Sequence, residues 1–159
     1  MSIVKFNKKG NPTPPGLKEI QLSTLKDTYV DSFKNSNTRE IIFNSYLKFN
    51  LDLKTIINNQ NFTQYLNGSF TTTKVNPQDI DIVNLISVIN LDIKIQQNLS
   101  NFTTEGGCKD NYHVDSYLVP IYPINDARYS ITKKWLEYWE NFFGKDRDGD
   151  RKTLFTINL

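Results

Sequence analysis

The stretch YLNGSFTTTKVNPQDIDIV, residues 65–83, decides the fold that this sequence predicts. A short run of apolar and β-branched residues, Phe62 to Leu66, ends at Asn67-Gly68. A second run, Ile80 to Val88, places apolar residues around an acidic pair. Runs of this kind, bounded by turn residues, are typical of β-strands. We therefore expect two strands joined by a polar loop from Phe70 to Gln78.

The acidic pair consists of Asp79 and Asp81, which flank Ile80. Residues two apart in a strand project from the same face at about 7 Å, so Ile80 and Ile82 are expected to point into the core instead. Two carboxylates held side by side on an apolar strand repel each other and lose solvation, a cost that a bound cation offsets. Oxygen ligands of this kind suit Mg²⁺ or Mn²⁺. An isolated Asp-x-Asp pair also fits a solvated strand end.

The Gly68-Ser69 turn makes the interpretation of the acidic pair more specific. A glycine lets the backbone approach phosphate groups, and a serine hydroxyl and nearby backbone N–H groups donate to phosphate oxygens. Metal ions held by Asp79 and Asp81 would neutralise the same triphosphate from the other side. The combination predicts a site for a metal-bound triphosphate, with an ordinary turn as the alternative.

A two-metal site needs a further carboxylate, and Asp115 is the strongest candidate. It lies within a third predicted strand, Tyr112 to Val119, which Pro120 is expected to stop. An unpaired charge inside such a strand is expensive, unless the strand is at an edge and exposes Asp115 to solvent. Asp92 is the alternative third ligand, in a segment, Leu91 to Leu99, whose pattern fits either a helix or a strand.

Helices are predicted on both sides of these strands. Prolines and glycines in residues 7–16 indicate an extended arm, after which helices capped by Ser23 and Thr38 precede the first strand. Glu105 to Asn111 is expected to be a turn or exposed loop. The last strand, Thr153 to Ile157, would join the sheet or pair with a partner chain. The order of elements predicts a single α+β domain with a mixed sheet flanked by helices.

The clearest amphipathic helix runs from Thr132 to Phe143 and is terminated by Gly144. Five aromatic residues fall on one stripe of this helix: Trp135, Tyr138, Trp139, Phe142 and Phe143. Packing in the core is the favoured interpretation of the stripe. Stacking against nucleobases is the alternative.

Composition excludes several classes of protein. The 159 residues suit one domain, and 19 Lys and Arg against 17 Asp and Glu give a net charge too small for a protein that coats nucleic acid. The single Cys108 excludes an internal disulfide and, with one His, a Cys/His zinc site supplied by this chain alone. Met1 to Gly10 carries no signal-peptide core, and no stretch reaches the ~20 apolar residues of a membrane helix. We expect a cytoplasmic protein.

The motifs together resemble the polymerase-β-like nucleotidyltransferase superfamily, whose pattern is Gly-Ser, a spacer, Asp-x-Asp and a further carboxylate on a later strand. Here the pattern is LNGSFTTTKVNPQDIDIV (66–83) followed by YHVDSYLVPIYP (112–123). With GNPTPPGL (10–17) and EYWENFFGKDRDGDRKT (137–153), the chain is similar over nearly its whole length to a subfamily of small bacterial proteins.

The resemblance implies the small polymerase-β-like palm fold and a role for each motif residue. Asp79, Asp81 and Asp115 would be the catalytic ligands of two Mg²⁺ or Mn²⁺ ions, with Asp115 also the base at the acceptor hydroxyl. Gly68 and Ser69 would cradle the phosphates. The chain departs from the pattern in the spacer, where many members have an Arg and a second Gly. Thr71 to Thr73 and Lys74 stand there, and Lys74 is a candidate phosphate contact.

The implied reaction transfers a nucleoside monophosphate from an NTP or dNTP to a hydroxyl and releases pyrophosphate. The acceptor would be an oligonucleotide, a tRNA or a protein. The leading hypothesis is untemplated oligonucleotide synthesis for bacterial antiphage signalling to an effector protein. The alternative is an antitoxin that nucleotidylates, or simply binds, a partner toxin or tRNA.

Three further features receive no functional role from the sequence. DRDGDRKTL, from Asp146, departs from a calcium loop because Gly149 falls at its fourth place and no Glu closes it, so we expect a charged turn. His113 is predicted on the same strand face as Asp115, more as a supporting or buried residue than as a substrate contact. Cys108 has no neighbour in the sequence that would lower its pKa.

Overall fold

The computed structural model describes residues 4–89 and 91–159, and a mixed five-stranded sheet lies at its centre. The strands are β1 (Lys5–Phe6), β2 (Pro12–Thr13), β3 (Gly16–Glu19), β4 (Thr63–Asn67), β5 (Ile80–Ser87), β6 (Val114–Ile121) and β7 (Thr153–Asn158). The helices are α1 (Leu22–Lys26), α2 (Arg39–Ile56), α3 (Ile93–Leu99), α4 (Cys108–Tyr112) and α5 (Tyr129–Phe143). A π-helical turn, Asp27–Asp31, continues α1, and 3-10 turns cover Ser69–Thr71 and Ser100–Phe102.

The order of strands in the sheet is β3-β7-β4-β5-β6. The pairs β3/β7 and β5/β6 are parallel, and β7/β4 and β4/β5 are antiparallel. The predicted α+β class, with a mixed sheet flanked by helices, is confirmed. The last strand joins the sheet as predicted, and it does so in the interior, between β3 and β4.

The closed face of the sheet, which carries Ile80 and Ile82, packs against α1 to α4. Both isoleucines are fully buried, as the alternation predicts, and they belong to the larger apolar core. A row of buried amides crosses this face. The Gln64 amide donates to Asn84 Oδ1 at 2.6 Å, and the Asn84 amide donates to Ser116 Oγ at 2.8 Å. These bonds satisfy polar groups that burial would otherwise make costly.

The open face of the sheet carries Asp81 and Asp115 and packs against α5 alone among the described helices. Trp139 and Phe143 of α5 form a smaller apolar cluster with Tyr65, Val83, Val119 and Leu154 of the sheet. This cluster covers the middle of the open face. The end that carries Asp81 and Asp115 is left as the floor of a cleft.

The predicted bounds of the third strand, Tyr112 to Val119, were wrong at both ends. Tyr112 ends α4 and His113 adopts a left-handed conformation with φ of 53°, so β6 begins at Val114. The strand also continues through Pro120 to Ile121. A proline, which lacks an N–H, is tolerated here because β6 is an edge strand of the sheet.

Other predicted segments needed correction. Glu105 to Asn111 is not all loop, since α4 begins at Cys108, whose side chain is buried. Leu91 to Leu99 resolves as the helix α3. The arm at residues 7–16 folds back as the β1/β2 hairpin, and three short strands therefore precede the first helix. In the part of the chain that the structure describes, no helix combines the length and apolar character needed to cross a membrane.

Candidate active site

The register of the sheet brings the predicted carboxylates together. Asp81 on β5 is paired with Asn67 on β4 and with Asp115 on β6. Because residues paired across a sheet share a face, Asp81 and Asp115 both point to the open face. Asp79 immediately precedes β5. These carboxylates line one cleft of about 1180 Å³, together with the other predicted site residues, Gly68, Ser69 and Lys74.

A lysine absent from the sequence-based site neutralises this acidic cluster. Lys109 on α4 places its Nζ 2.7 Å from Asp79 Oδ2 and 3.6 Å from Asp115 Oδ2. Burial, reinforced by the charges of Asp79 and Asp115, raises the pKa of Asp81 to about 6. The hydrogen bond to Asp79 in turn raises the pKa of Lys109. The carboxylates thus form an electrostatically coupled group that a cation stabilises.

Asp115 is oriented by the loop that leads into α4. The Thr104 hydroxyl donates to Asp115 Oδ1 and accepts the backbone N–H of Ser116 at 2.7 Å. The backbone N–H of Thr104 donates to the Ser116 carbonyl at 2.9 Å. Beneath this loop, Cys108 is buried, and burial raises the pKa of its thiol. These contacts fix the Asp115 side chain on the cleft floor and leave Cys108 unsuited to nucleophilic chemistry.

Gly68 is required by its contact with Asp81. Its φ is +80°, a conformation that favours glycine, and a Cβ at this position would lie 1.6 Å from Asp81 Oδ2. The Asp81 carboxylate therefore occupies the space where a side chain would stand. Ser69 begins the 3-10 turn that follows, and Thr71 caps this turn by donating its hydroxyl to the Gly68 carbonyl at 3.1 Å.

A buried arginine holds the loop that carries Lys74. Arg39 on α2 is 1% exposed, and its guanidinium lies 3.9 Å from the Phe33 ring centroid and 5.2 Å from that of Phe70. Its nitrogens donate to the backbone carbonyls of Tyr29, Phe70, Thr72 and Lys74 at 2.6–2.8 Å. The Lys74 side chain itself is exposed at the cleft. The spacer between the two motifs is therefore a fixed loop.

The cleft carries more positive charge than its acidic floor neutralises. Its lysines and arginines are Lys9, Lys74, Lys109, Lys134, Lys145, Arg147 and Lys152. Lys9 pairs with Asp148 and Asp150, and Lys109 with Asp79 and Asp115. The side chains of the other five form no hydrogen bond or ion pair with any described residue. Lysines and arginines without partners in a concave site favour a polyanionic ligand.

Lys152 is the most buried of these cations. It precedes β7, is 5% exposed, and its pKa is lowered by burial, against the opposing effect of Asp81 and Asp146. Sequence reasoning missed both Lys152 and Lys109. The position of Lys152 at the start of a strand, after a charged turn, was a readable signal. For Lys109 there is no such signal, because the sequence predicts a loop where α4 forms.

The residues of the cleft floor fit a divalent cation by their chemistry. Among the described residues, no three His, Cys, Asp or Glu side chains stand grouped as a metal site. The Lys109 ammonium bridges two of the three candidate carboxylates instead. Three carboxylates that share a cleft, one of them with a raised pKa, are the oxygen donors that Mg²⁺ accepts.

Two candidates from the sequence lie elsewhere. Asp92 caps α3 by accepting the backbone N–H of Ile95 at 2.8 Å, and it does not line the cleft. His113 is exposed at the end of α4, not on the strand face of Asp115. A cap three residues before a buried apolar position is a recognisable pattern, so the role of Asp92 was predictable from its sequence context.

The aromatic stripe of α5 is divided between the core and the surface. Trp139 and Phe143 are buried, as predicted. Core packing is wrong for the other three, because Trp135, Tyr138 and Phe142 are 43%, 49% and 60% exposed. Tyr138 and Phe142 line the cleft.

Comparison with known proteins places the chain in one family. The model of the family of unknown function DUF6932 matches residues 4–158, and the chain belongs to this family. No curated protein and no solved structure matches it.

Proposed function

We propose that this member of the DUF6932 family is a metal-dependent nucleotidyltransferase with a polymerase-β-like palm fold. The observation that carries the proposal is the meeting of Asp79, Asp81 and Asp115 with the Gly68-Ser69 turn in one cleft. The side chains of five cations of this cleft form no hydrogen bond or ion pair with a described residue. The carboxylates suit a divalent cation, and the turn and the cations suit a triphosphate. The wider role in antiphage signalling stays a prediction.

In the proposed reaction, the oxygen of an acceptor hydroxyl forms a bond to the α-phosphorus of an NTP or dNTP. The bond from that phosphorus to the oxygen bridging the α- and β-phosphates breaks, and pyrophosphate leaves with the electron pair. The hydroxyl proton passes to the Asp115 carboxylate, which Thr104 holds in place. Held by Asp79, Asp81 and Asp115, Mg²⁺ would supply charge neutralisation and a more acidic acceptor hydroxyl.

The other residues of the cleft bind and position the triphosphate. The Ser69 hydroxyl and the backbone N–H groups of its turn donate to phosphate oxygens. Lys74 contributes positive charge from the loop that Arg39 holds in place, so its backbone needs no further ordering. The buried Lys152 contributes positive charge from a position that is likewise already ordered. The Lys109 ammonium compensates the carboxylates while no divalent cation is bound.

The experiment measures thermal unfolding and pyrophosphate release for the purified chain with each of the eight common NTPs and dNTPs and Mg²⁺. We expect at least one nucleotide to stabilise the wild-type chain and to yield pyrophosphate in a Mg²⁺-dependent manner. Asp81→Asn should lose both effects. Without Mg²⁺ and near pH 7 it should raise the free energy of unfolding by up to about 3 kcal/mol, since the pKa of Asp81 is raised from 3.8 to about 6 and each unit corresponds to about 1.4 kcal/mol.

Asp79→Asn should lose the nucleotide effects without the gain in stability, because it breaks the 2.7 Å ion pair with Lys109. Asp110→Asn is the matched control, an exposed carboxylate on α4 that does not line the cleft, and it should behave like the wild type. Retained nucleotide stabilisation in both Asp79→Asn and Asp81→Asn would contradict the assignment.

A further inference from the structure

Three large aromatic side chains of α5 are exposed where a folded chain usually buries such residues. The aromatic face consists of Trp135, Tyr138 and Phe142. These positions are three and four residues apart, so they follow one stripe of the helix over about 10 Å. The Tyr138 and Phe142 rings are stacked, parallel within 5°, with centroids 5.9 Å apart. Exposed apolar patches of this kind mark binding surfaces.

The aromatic face is connected to the strand that carries Asp115. Tyr117, two residues after Asp115 on the same face of β6, has its ring centroid 4.5 Å from that of Trp139. Trp139 in turn contacts Tyr138 and Phe142, with centroids 5.1 and 5.9 Å apart. The Gly68-Ser69 turn lies on the other side of Asp81, because β4 and β6 flank β5. The aromatic face is therefore on the acceptor side of the proposed reaction.

The charges beside the aromatic face are those that a nucleic acid strand requires. Lys134 stands one helical turn before Tyr138, and Lys145 and Arg147 follow the end of α5. All three line the cleft and form no ion pair with a described residue. The helix presents one acid, Glu137, to the same cleft. Aromatic rings that accept bases, next to cations that follow a phosphate backbone, are the components of a surface for single-stranded nucleic acid.

We propose that the aromatic face of α5 binds the 3′ end of a single-stranded oligonucleotide, whose bases stack on Tyr138 and Phe142 and whose terminal hydroxyl is the acceptor near Asp115. The assignment of this strand as acceptor rests on the proposed nucleotidyltransferase function. Binding of the oligonucleotide itself does not rest on that function, because it requires neither nucleotide nor metal.

The test measures binding of fluorescein-labelled 12-nucleotide oligoadenylates, one RNA and one DNA, by fluorescence anisotropy without NTP or Mg²⁺. We expect the wild-type chain to bind at least one of the two, with an affinity that falls as salt rises. Phe142→Leu keeps an apolar side chain but removes the ring, and it should weaken binding by about tenfold or more. Lys134→Gln should weaken binding less and flatten its salt dependence. The two oligomers distinguish a ribose from a deoxyribose acceptor.

Leu51→Ala is the control, since Leu51 is 67% exposed. It lies on α2, the helix that covers the closed face of the sheet, away from the aromatic face. This variant should bind both oligomers like the wild type. Failure of the wild-type chain to bind either oligomer, or equal binding by Phe142→Leu, would overturn the proposal. Light scattering provides a second refutation: a wild-type dimer that Phe142→Leu dissociates, without oligomer binding, would assign the aromatic face to self-association.

The two proposals fail separately. Pyrophosphate release by a chain that binds no oligomer would retain the nucleotidyltransferase and remove the oligonucleotide acceptor. Binding that depends on Phe142, in a chain that releases no pyrophosphate, would retain the surface and remove the proposed reaction. If the wild-type chain both binds the oligomer and releases pyrophosphate, Phe142→Leu should raise the KM for the oligomer and leave kcat near its wild-type value, because the ring binds the strand away from the reacting atoms.

Discussion

The two faces of the sheet are built on opposite principles. On the closed face, polar groups such as Gln64, Asn84 and Ser116 are paired with one another beneath α2, and apolar residues fill the remaining space. On the open face, Asp81 is crowded by like charges and Lys152 is buried without an ion pair to a described residue. The closed face stabilises the fold, and the open face retains electrostatic cost that a ligand can offset. We therefore expect mutations on the closed face to lower stability and leave activity near the wild type, and mutations on the open face to change activity.

The largest expected effect is the loss of transfer in Asp115→Asn. The variant should still bind nucleotide through Asp79, Asp81 and Ser69. Its rate of pyrophosphate release should fall ~10²–10⁴-fold, because the acceptor hydroxyl loses its base. Single-turnover release at saturating nucleotide, beside nucleotide affinity, measures the two effects independently.

Thr104→Val keeps the Asp115 carboxylate but removes the hydroxyl that orients it, so it should lower the rate less than Asp115→Asn does. Near-normal pyrophosphate release in Asp115→Asn would show that Asp115 is not the base at the acceptor hydroxyl. The open face would then lose its assigned role in activity.

The next effect concerns stability on the closed face. Leu53 and Leu51 lie two residues apart on α2, the first fully buried and the second 67% exposed. Leu53→Ala should lower the free energy of unfolding by about 2–5 kcal/mol through lost burial and a residual cavity. Leu51→Ala should change it by no more than about 0.5 kcal/mol.

Urea unfolding of the Leu53 and Leu51 variants gives the two free energies directly. Nucleotide affinity below the unfolding transition should match the wild type in both. A large loss of nucleotide affinity in folded Leu53→Ala would show that packing on the closed face also controls binding on the open face, and would contradict the separation of the two faces.

The smallest expected effect is the stability cost of replacing a glycine of positive φ by alanine, which distinguishes a steric collision from backbone strain alone. Gly68 and Gly149 both have positive φ, +80° and +88°. A Cβ at Gly149 meets no atom within 4 Å, whereas at Gly68 it collides with the Asp81 carboxylate. Gly149→Ala should therefore cost the stability of a strained backbone alone, about 1 kcal/mol.

Gly68→Ala should cost more than Gly149→Ala and should also weaken nucleotide binding, because the Asp81 carboxylate must move. Paired melting curves, with and without Mg²⁺-nucleotide, report both quantities. Equal costs in the two alanine variants would mean that the contact between Gly68 and Asp81 contributes little to the site.

Local pattern predicted the parts of the site that depend on strand geometry. Alternation around Ile80 and Ile82 identified β5 and the side of the sheet on which Asp81 lies. The position of Asp115 inside an apolar run identified a carboxylate on a neighbouring strand. Their pairing followed only from the parallel register of β5 and β6, which no local pattern encodes.

Periodicity failed where burial depends on what lies opposite an element. The stripe on α5 has helical spacing, yet only Trp139 and Phe143 meet the sheet, while Phe142 faces the cleft. Lys109 was missed for a related reason. A lysine in a glycine-rich segment carries no sign of its partners, and its pairing with Asp79 depends on where α4 packs.

The sequence by itself determined the α+β class, the strands around Asp79 and Asp81, and the residue types on which the proposed metal and phosphate chemistry rests, because these follow from spacing and side-chain identity over short distances. Only the tertiary structure decided that Gly68 must accommodate Asp81, that Arg39 fixes the Lys74 loop, and that α5 leaves one end of the open face uncovered. Each of these is a contact between segments distant in sequence, and the free energy of such contacts depends on packing that no single segment specifies.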